Sequence, residues 1–95
     1  MADPTDPFDW DENKRAANIA DGKLDFTAVY EFDWDTAVYT IDDPEDYGEL
    51  RESAIGFIGA RLHVVVFTRR GEIIRIISLR RAESRDKKLY VKERR

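Results

Sequence analysis

The stretch Leu62-His63-Val64-Val65-Val66-Phe67-Thr68 constrains the fold more than any other part of the chain. Side chains alternate along a strand, so Leu62, Val64 and Val66 fall on one face and His63, Val65 and Phe67 on the other. Both faces are mostly apolar. Such a strand has to be covered on both sides, which places it in the middle of a sheet with a layer above and a layer below. Ninety-five residues provide for one such arrangement. A chain of this size buries about 60–65% of its unfolded surface, so its core is thin. There is no cysteine to staple it.

Other strands are readable around this one. Ala37 to Ile41 is rich in β-formers and stops at Asp42-Asp43-Pro44, Arg51 to Ile58 is a second strand, and Ile73 to Leu79 is a fourth, interrupted by Arg75. Gly59-Ala60-Arg61 and Arg69-Arg70-Gly71-Glu72 are short connections, and Pro44 to Gly48 is an acidic loop. Upstream, Trp10-Asp11-Glu12 reads as a helix start that Asp11 caps, with Ala16, Ala17 and Ile19 following and Gly22 as a left-handed stop. Asp25 caps a second short helix with Phe26, Val29 and Tyr30 on one face. Downstream, Leu89 and Tyr90 are the packing contacts of a helix from about Ser84. The expected class is α+β: N-terminal helices, a four-stranded antiparallel meander and a C-terminal helix. Residues 1–9, with Pro4 and Pro7, are expected to form a flexible tail, and 10–95 a single domain.

Charge is segregated along the chain. The net charge is −4, yet residues 1–57 carry sixteen Asp and Glu against four Lys and Arg, whereas residues 58–95 carry twelve Lys and Arg against four Asp and Glu. The basic third either pairs with the acidic half or presents a local cationic field able to hold phosphate. With one histidine, His63, a His-cluster metal site within one chain is excluded, and no cofactor is expected. No apolar run approaches a membrane span, and the acidic start is unlike a secretory signal. The expectation is a cytoplasmic protein without membrane contact.

Four stretches resemble the BrnT toxin family in order and spacing. They are Phe8-Asp9-Trp10-Asp11 followed by Lys14 and Asn18; Phe26 with Ala28; Tyr47-Gly48-Glu49-Leu50-Arg51 leading to Ala54-Ile55-Gly56; and Leu62 to Phe67 with Ile74-Arg75-Ile76-Ile77-Ser78 and Arg80-Arg81-Ala82. The resemblance implies a fold similar to RelE-type ribonucleases, cleavage of cellular RNA and inhibition of growth. It also implies a BrnA-like antitoxin with a ribbon-helix-helix domain, through which alone operator DNA would be reached. The chain departs from the family where members usually carry Lys-His-Gly: the slot reads Asp21-Gly22-Lys23, and the family's cation and imidazole are both gone. Glu83 and Asp86 stand where the family often has a Thr and Glu capping pair.

Metal-independent RNA cleavage uses the ribose 2′-OH as nucleophile and needs a base near it, cationic donors on the phosphate and an acid at the leaving oxygen. Arginine suits the donor role because its planar fork matches phosphate oxygens. Arg75, Arg80 and Lys14 are therefore the catalytic candidates, and Arg51, Arg81, Asn18 and Trp10 the substrate contacts. Each has a plainer reading. Arg75 in an apolar strand could bridge to an acid of the N-terminal half, and Arg80 and Arg81 could be a solvated strand end. Trp10, Lys14 and Asn18 at a spacing of four would share a helix face, yet Trp10 suits the core. His63 reads as a strand-face histidine with a structural hydrogen bond. Glu49 and Glu52, flanking Arg51, read as a salt-bridged strand end. The aromatic residues Tyr30, Phe32, Trp34 and Tyr39 either simply cover the sheet or in part form an exposed patch for the antitoxin. The acidic loop Asp42-Asp43-Pro44-Glu45-Asp46 is a solvated turn or a dock for a basic antitoxin segment. Two alternatives stand beside a ribonuclease toxin: a catalytically weakened relative serving as antitoxin-binding partner or corepressor, and a non-catalytic nucleic-acid-binding module.

Overall fold

The valine-rich segment is the middle strand of the sheet. The computed structural model describes residues 6–41 and 49–94. Its elements are β1 (Phe8–Trp10), α1 (Glu12–Ala20), a 3₁₀ helix (Phe26–Glu31), β2 (Val38–Ile41), β3 (Glu52–Ile58), β4 (Arg61–Arg70), β5 (Ile73–Arg81) and α2 (Ser84–Glu93). The strand order is β1-β5-β4-β3-β2. The class is α+β, as expected.

The sheet differs from the expected four-stranded antiparallel meander in one strand. Strands β2 to β5 are antiparallel, but a fifth, β1, pairs parallel to β5 with Phe8 opposite Ile74 and Trp10 opposite Ile76. Residues 8 and 9, expected in a tail, thus belong to the sheet; residues 1–5 lie outside the described ones. The reason is the apolar–polar–apolar pattern Phe8-Asp9-Trp10. It turns Phe8 into the core and leans Trp10 against it, while the Ile74 N–H donates to the Pro7 carbonyl at 2.8 Å. Three residues are too few for that alternation to stand out in a sequence.

The registers show which side chains share a face. Val65 lies opposite Leu79 and Ala54, and these join Phe67, Ile76 and Phe8 beneath Phe26, Val29 and Phe32 of the 3₁₀ segment. The other face carries Phe57, Val64 and Arg80, and α2 lies across its end, with the Tyr90 ring edge-on to Phe57 at 5.6 Å. Gly56 lets Phe32 approach the sheet: a Cβ there would sit 2.7 Å from the Phe32 ring.

Helix α1 begins as expected, with the Asp11 carboxylate accepting the Asn13 N–H at 2.9 Å, but buries none of its residues. The connection after β4 is tighter than expected, because Arg69 and Arg70 continue the strand and only Gly71 (φ +63°) and Glu72 turn. At the far end, β5 continues through Arg80 and Arg81. The acidic loop 42–46 and Tyr47-Gly48 lie outside the described residues. Among those described, no helix is long and apolar enough to cross a membrane.

Candidate functional site

The sheet sorts its cations into two groups. Near the β4–β5 hairpin turn, arginines are matched with acids of the N-terminal half: Arg69 with Glu52, Arg70 with Glu49 at 3.5 Å, and Arg75 with Asp9, its direct neighbour in the parallel register. Arg75 therefore realises the ion-pair reading, and Glu49 and Glu52 are salt-bridged strand-end residues. Arg80 is not a solvated strand end. Its Nη1 donates to Asp86 Oδ2 at 2.7 Å across to α2. The guanidinium, with the Glu83 N–H on the same carboxylate, holds the Asp86 carboxyl below the usual range, and Asp86 in turn raises Arg80.

Among the described residues, Lys14, Lys23, Arg61, Arg81, Lys87, Lys88 and Lys92 take part in no ion pair. Most of them collect where β4 begins and β5 finishes. Arg61, Arg81 and Lys87 line a hollow of 390 Å³ whose apolar wall includes Phe57 and Leu62. Arg81 also lines a second hollow of 460 Å³, with Lys23, Arg80, Leu24 and Leu79. Lys87, Lys88 and Lys92 border a shallow groove around Val91 on α2. The Ala82 N–H donates to the Leu62 carbonyl at 3.0 Å, which fixes the end of β5 against the start of β4 and so sets Arg81.

The expected site residues are thus only partly gathered. Arg80 and Arg81 share a hollow; the others are dispersed. Lys14 is exposed on α1. Trp10 is not on its helix face, because residue 10 is in β1. It leans on the core, and its Nε1 donates to Glu12 Oε1 at 2.8 Å. It lines a different hollow of 490 Å³ with Asp6, Asp9, Glu12 and Tyr30, which is acidic and unsuited to phosphate. In that hollow the Tyr30 hydroxyl donates to Asp6, and its pKa is pushed up to about 12. Asn18 Nδ2 donates to the Leu24 carbonyl at 2.8 Å and braces the turn after α1. Arg51, half-buried just before β3, is distant in sequence and strand position from the start of β4.

The turn after α1 holds Gly22 as the left-handed stop that the sequence suggests. Gly22 has φ +75°, the left-handed conformation in which a side chain is strained. The helix ends at Ala20 with Asp21 as its cap, the glycine turns the chain just beyond, and the following Lys23, its N–H bonded to the Asn18 carbonyl at 2.9 Å, reaches the hollow beside Arg81. The segment has kept a cation, displaced by two residues.

Arg61, Lys87 and Lys23 were not among the site residues expected from the sequence. The available signal was that Arg61 opens and Arg81 closes a β4–β5 pair, but this needs the register. His63 is buried, and its Nδ1 lies 2.9 Å from the Arg61 carbonyl oxygen. A carbonyl only accepts, so the proton is on Nδ1 and this contact is structural. Of the aromatic residues, Phe32 is buried and Trp34 packs on the core, whereas Tyr30 and Tyr39 are exposed. Among the described residues, no group of three His, Cys, Asp or Glu is gathered as a metal ion would need.

A family model described as "Ribonuclease toxin, BrnT, of type II toxin-antitoxin system" matches residues 10–86. No curated protein and no solved structure matches the chain significantly.

Proposed function

The chain belongs to the BrnT family of ribonuclease toxins of type II toxin–antitoxin systems, and from that premise we propose that it cleaves cellular RNA held at the cationic end of its sheet. The observation that carries this reading is the grouping of Arg61, Arg81 and Lys87 around one hollow with no acid partner among the described residues. Exposed cations left unneutralised keep their field for an incoming anion, whereas Arg75, already matched with Asp9, offers little. The roles first assigned to Arg75 and Arg80 therefore pass to Arg81, with Arg61 and Lys87 beside it. Two or three guanidinium and ammonium groups on one phosphodiester would stabilise the charge that builds up as the 2′-OH attacks.

A type II toxin has an antitoxin. We take this one to be BrnA-like, with a ribbon-helix-helix domain that alone touches operator DNA, and to cover the cationic end when bound. Kinship with RelE-type ribonucleases rests on the family. A cytoplasmic setting follows from a cellular RNA substrate. Lys14, Asn18, Trp10 and Arg51 are supporting residues rather than phosphate contacts in this reading.

Inducing the chain alone and following growth and RNA integrity tests the proposal: growth arrest with fragmented RNA is expected, and both should vanish in the Arg61→Ala/Arg81→Ala/Lys87→Ala variant. A second reading, RNA binding without turnover, is favoured by the neutralised state of Arg75 and Arg80. It predicts RNA binding by a folded chain that leaves RNA intact.

A further inference from the structure

The two cationic hollows have Arg81 in common. This exposed arginine closes β5, pinned by the bond from the Ala82 N–H to the Leu62 carbonyl. On one side lies a hollow of 390 Å³ with Arg61 and Lys87 at its rim and Phe57 and Leu62 in its wall. On the other lies a hollow of 460 Å³ with Lys23 and Arg80 at its rim and Leu24 and Leu79 in its wall. Each falls in the ~300–1,000 Å³ range of small-molecule sites. Each pairs apolar wall with cationic rim, the combination that a nucleotide, with a flat base and a charged phosphate, would fill.

We propose that the two hollows are consecutive nucleotide subsites and that Arg81 holds the phosphate joining the two nucleotides. This rests on the ribonuclease reading above and narrows its substrate. Arg81 is the one described cation that lines both hollows, so it is placed to reach a linkage that spans them. The Arg80 guanidinium, on the far rim, is occupied by Asp86, which leaves Lys23, in no ion pair among the described residues, as the cation that the second subsite adds to Arg81. Bases stacked in a duplex cannot enter separate hollows, so the substrate is a single strand with two bases turned out.

The test is competition against a fluorescent single-stranded 2′-O-methyl RNA 12-mer, followed by anisotropy with the full chain. The 2′-O-methyl group blocks the nucleophile, so binding is read without cleavage. A 2′-O-methyl dinucleotide should compete at least about ten-fold better than either mononucleotide, roughly what one further stacked base is worth. Arg81→Ala, checked for an unchanged melting temperature, should erase that advantage; Lys87→Ala, which alters one hollow only, should reduce it. The annealed 12-mer duplex should bind about ten-fold or more weakly than the single strand. Equal competition by mono- and dinucleotides, or equal binding of duplex and single strand, would overturn the two-subsite proposal and leave the ribonuclease reading standing. Absence of salt-dependent binding to any of these RNAs would overturn both.

Discussion

The Arg80 guanidinium and the Asp86 carboxylate meet at 2.7 Å between the end of β5 and the first turn of α2, and the same carboxylate accepts the Glu83 N–H at 2.8 Å. One acid thus ties helix to sheet and satisfies a backbone donor at the helix start. It also removes Arg80 from the cations that could meet RNA, which leaves the neighbouring Arg81 as the exposed arginine of the pair.

Asp86 should therefore matter for stability rather than for RNA. Its residue is 9% exposed and the partner Arg80 side chain 39%, so Asp86→Ala is expected to cost about 2 kcal/mol, lost cap and lost pair together. Chemical denaturation of the variant and parent checks this.

Acid should expose the same contacts. Asp86 is held low by Arg80, and Asp25 is lowered to about 2 by Arg15 and the Thr27 N–H. A carboxyl whose folded value lies below its unfolded value stabilises the fold fully above the unfolded value, and that contribution is lost as pH falls through the folded one. The melting temperature should hold down to about pH 5 and fall between about pH 4 and 2. Asp86→Asn should lower the plateau and shrink the fall. Melts followed by circular dichroism across that range measure it.

Gly56→Ala should destabilise the protein although it adds a single methyl. The new Cβ would lie 2.7 Å from Phe32 Cζ and 3.1 Å from the Asp33 carbonyl oxygen. Overpacking of this kind costs about 1–3 kcal/mol. A melting temperature equal to that of the parent would show that Phe32 can shift without loss.

Restoring the family's usual residues at positions 21 and 22 should not simply restore a family site. Gly22→His places a side chain at φ +75° and should cost about 1 kcal/mol. Asp21→Lys alone should be tolerated, since Asp21 is exposed. Comparing the melting temperature and RNA affinity of the two single variants and the double variant separates strain from gain of a cation.

Much of the fold is legible in the residues themselves. The two-sided apolar pattern of Leu62 to Thr68 placed β4 at the centre, Asp11 and Asp25 marked the caps of their helices, and Gly22, Gly59 and Gly71 all adopt the positive φ that a turn requires. What escaped was non-local. β1 is three residues long, and its partner is more than sixty residues away, so no local period reveals it. Trp10 was placed on the helix for the same reason. The site was legible as a basic third but not residue by residue. Whether Arg75 or Arg81 is available depends on what the register sets opposite each, Asp9 for the first and His63 for the second, which has no acid partner among the described residues. Lys23 was hidden because only the fold brings the turn after α1 beside the end of β5.

The most direct test of the account is the salt dependence of single-stranded RNA binding by the parent chain and by the Arg61→Ala/Arg81→Ala/Lys87→Ala variant. Each phosphate contact on a single strand contributes about −0.7 to the slope of log K against log salt. Losing three should make the slope shallower by about 2, while Arg75→Ala and Lys14→Ala leave it as in the parent. An unchanged slope and affinity in the triple variant, with the fold intact, would contradict the assignment of this end of the sheet to RNA.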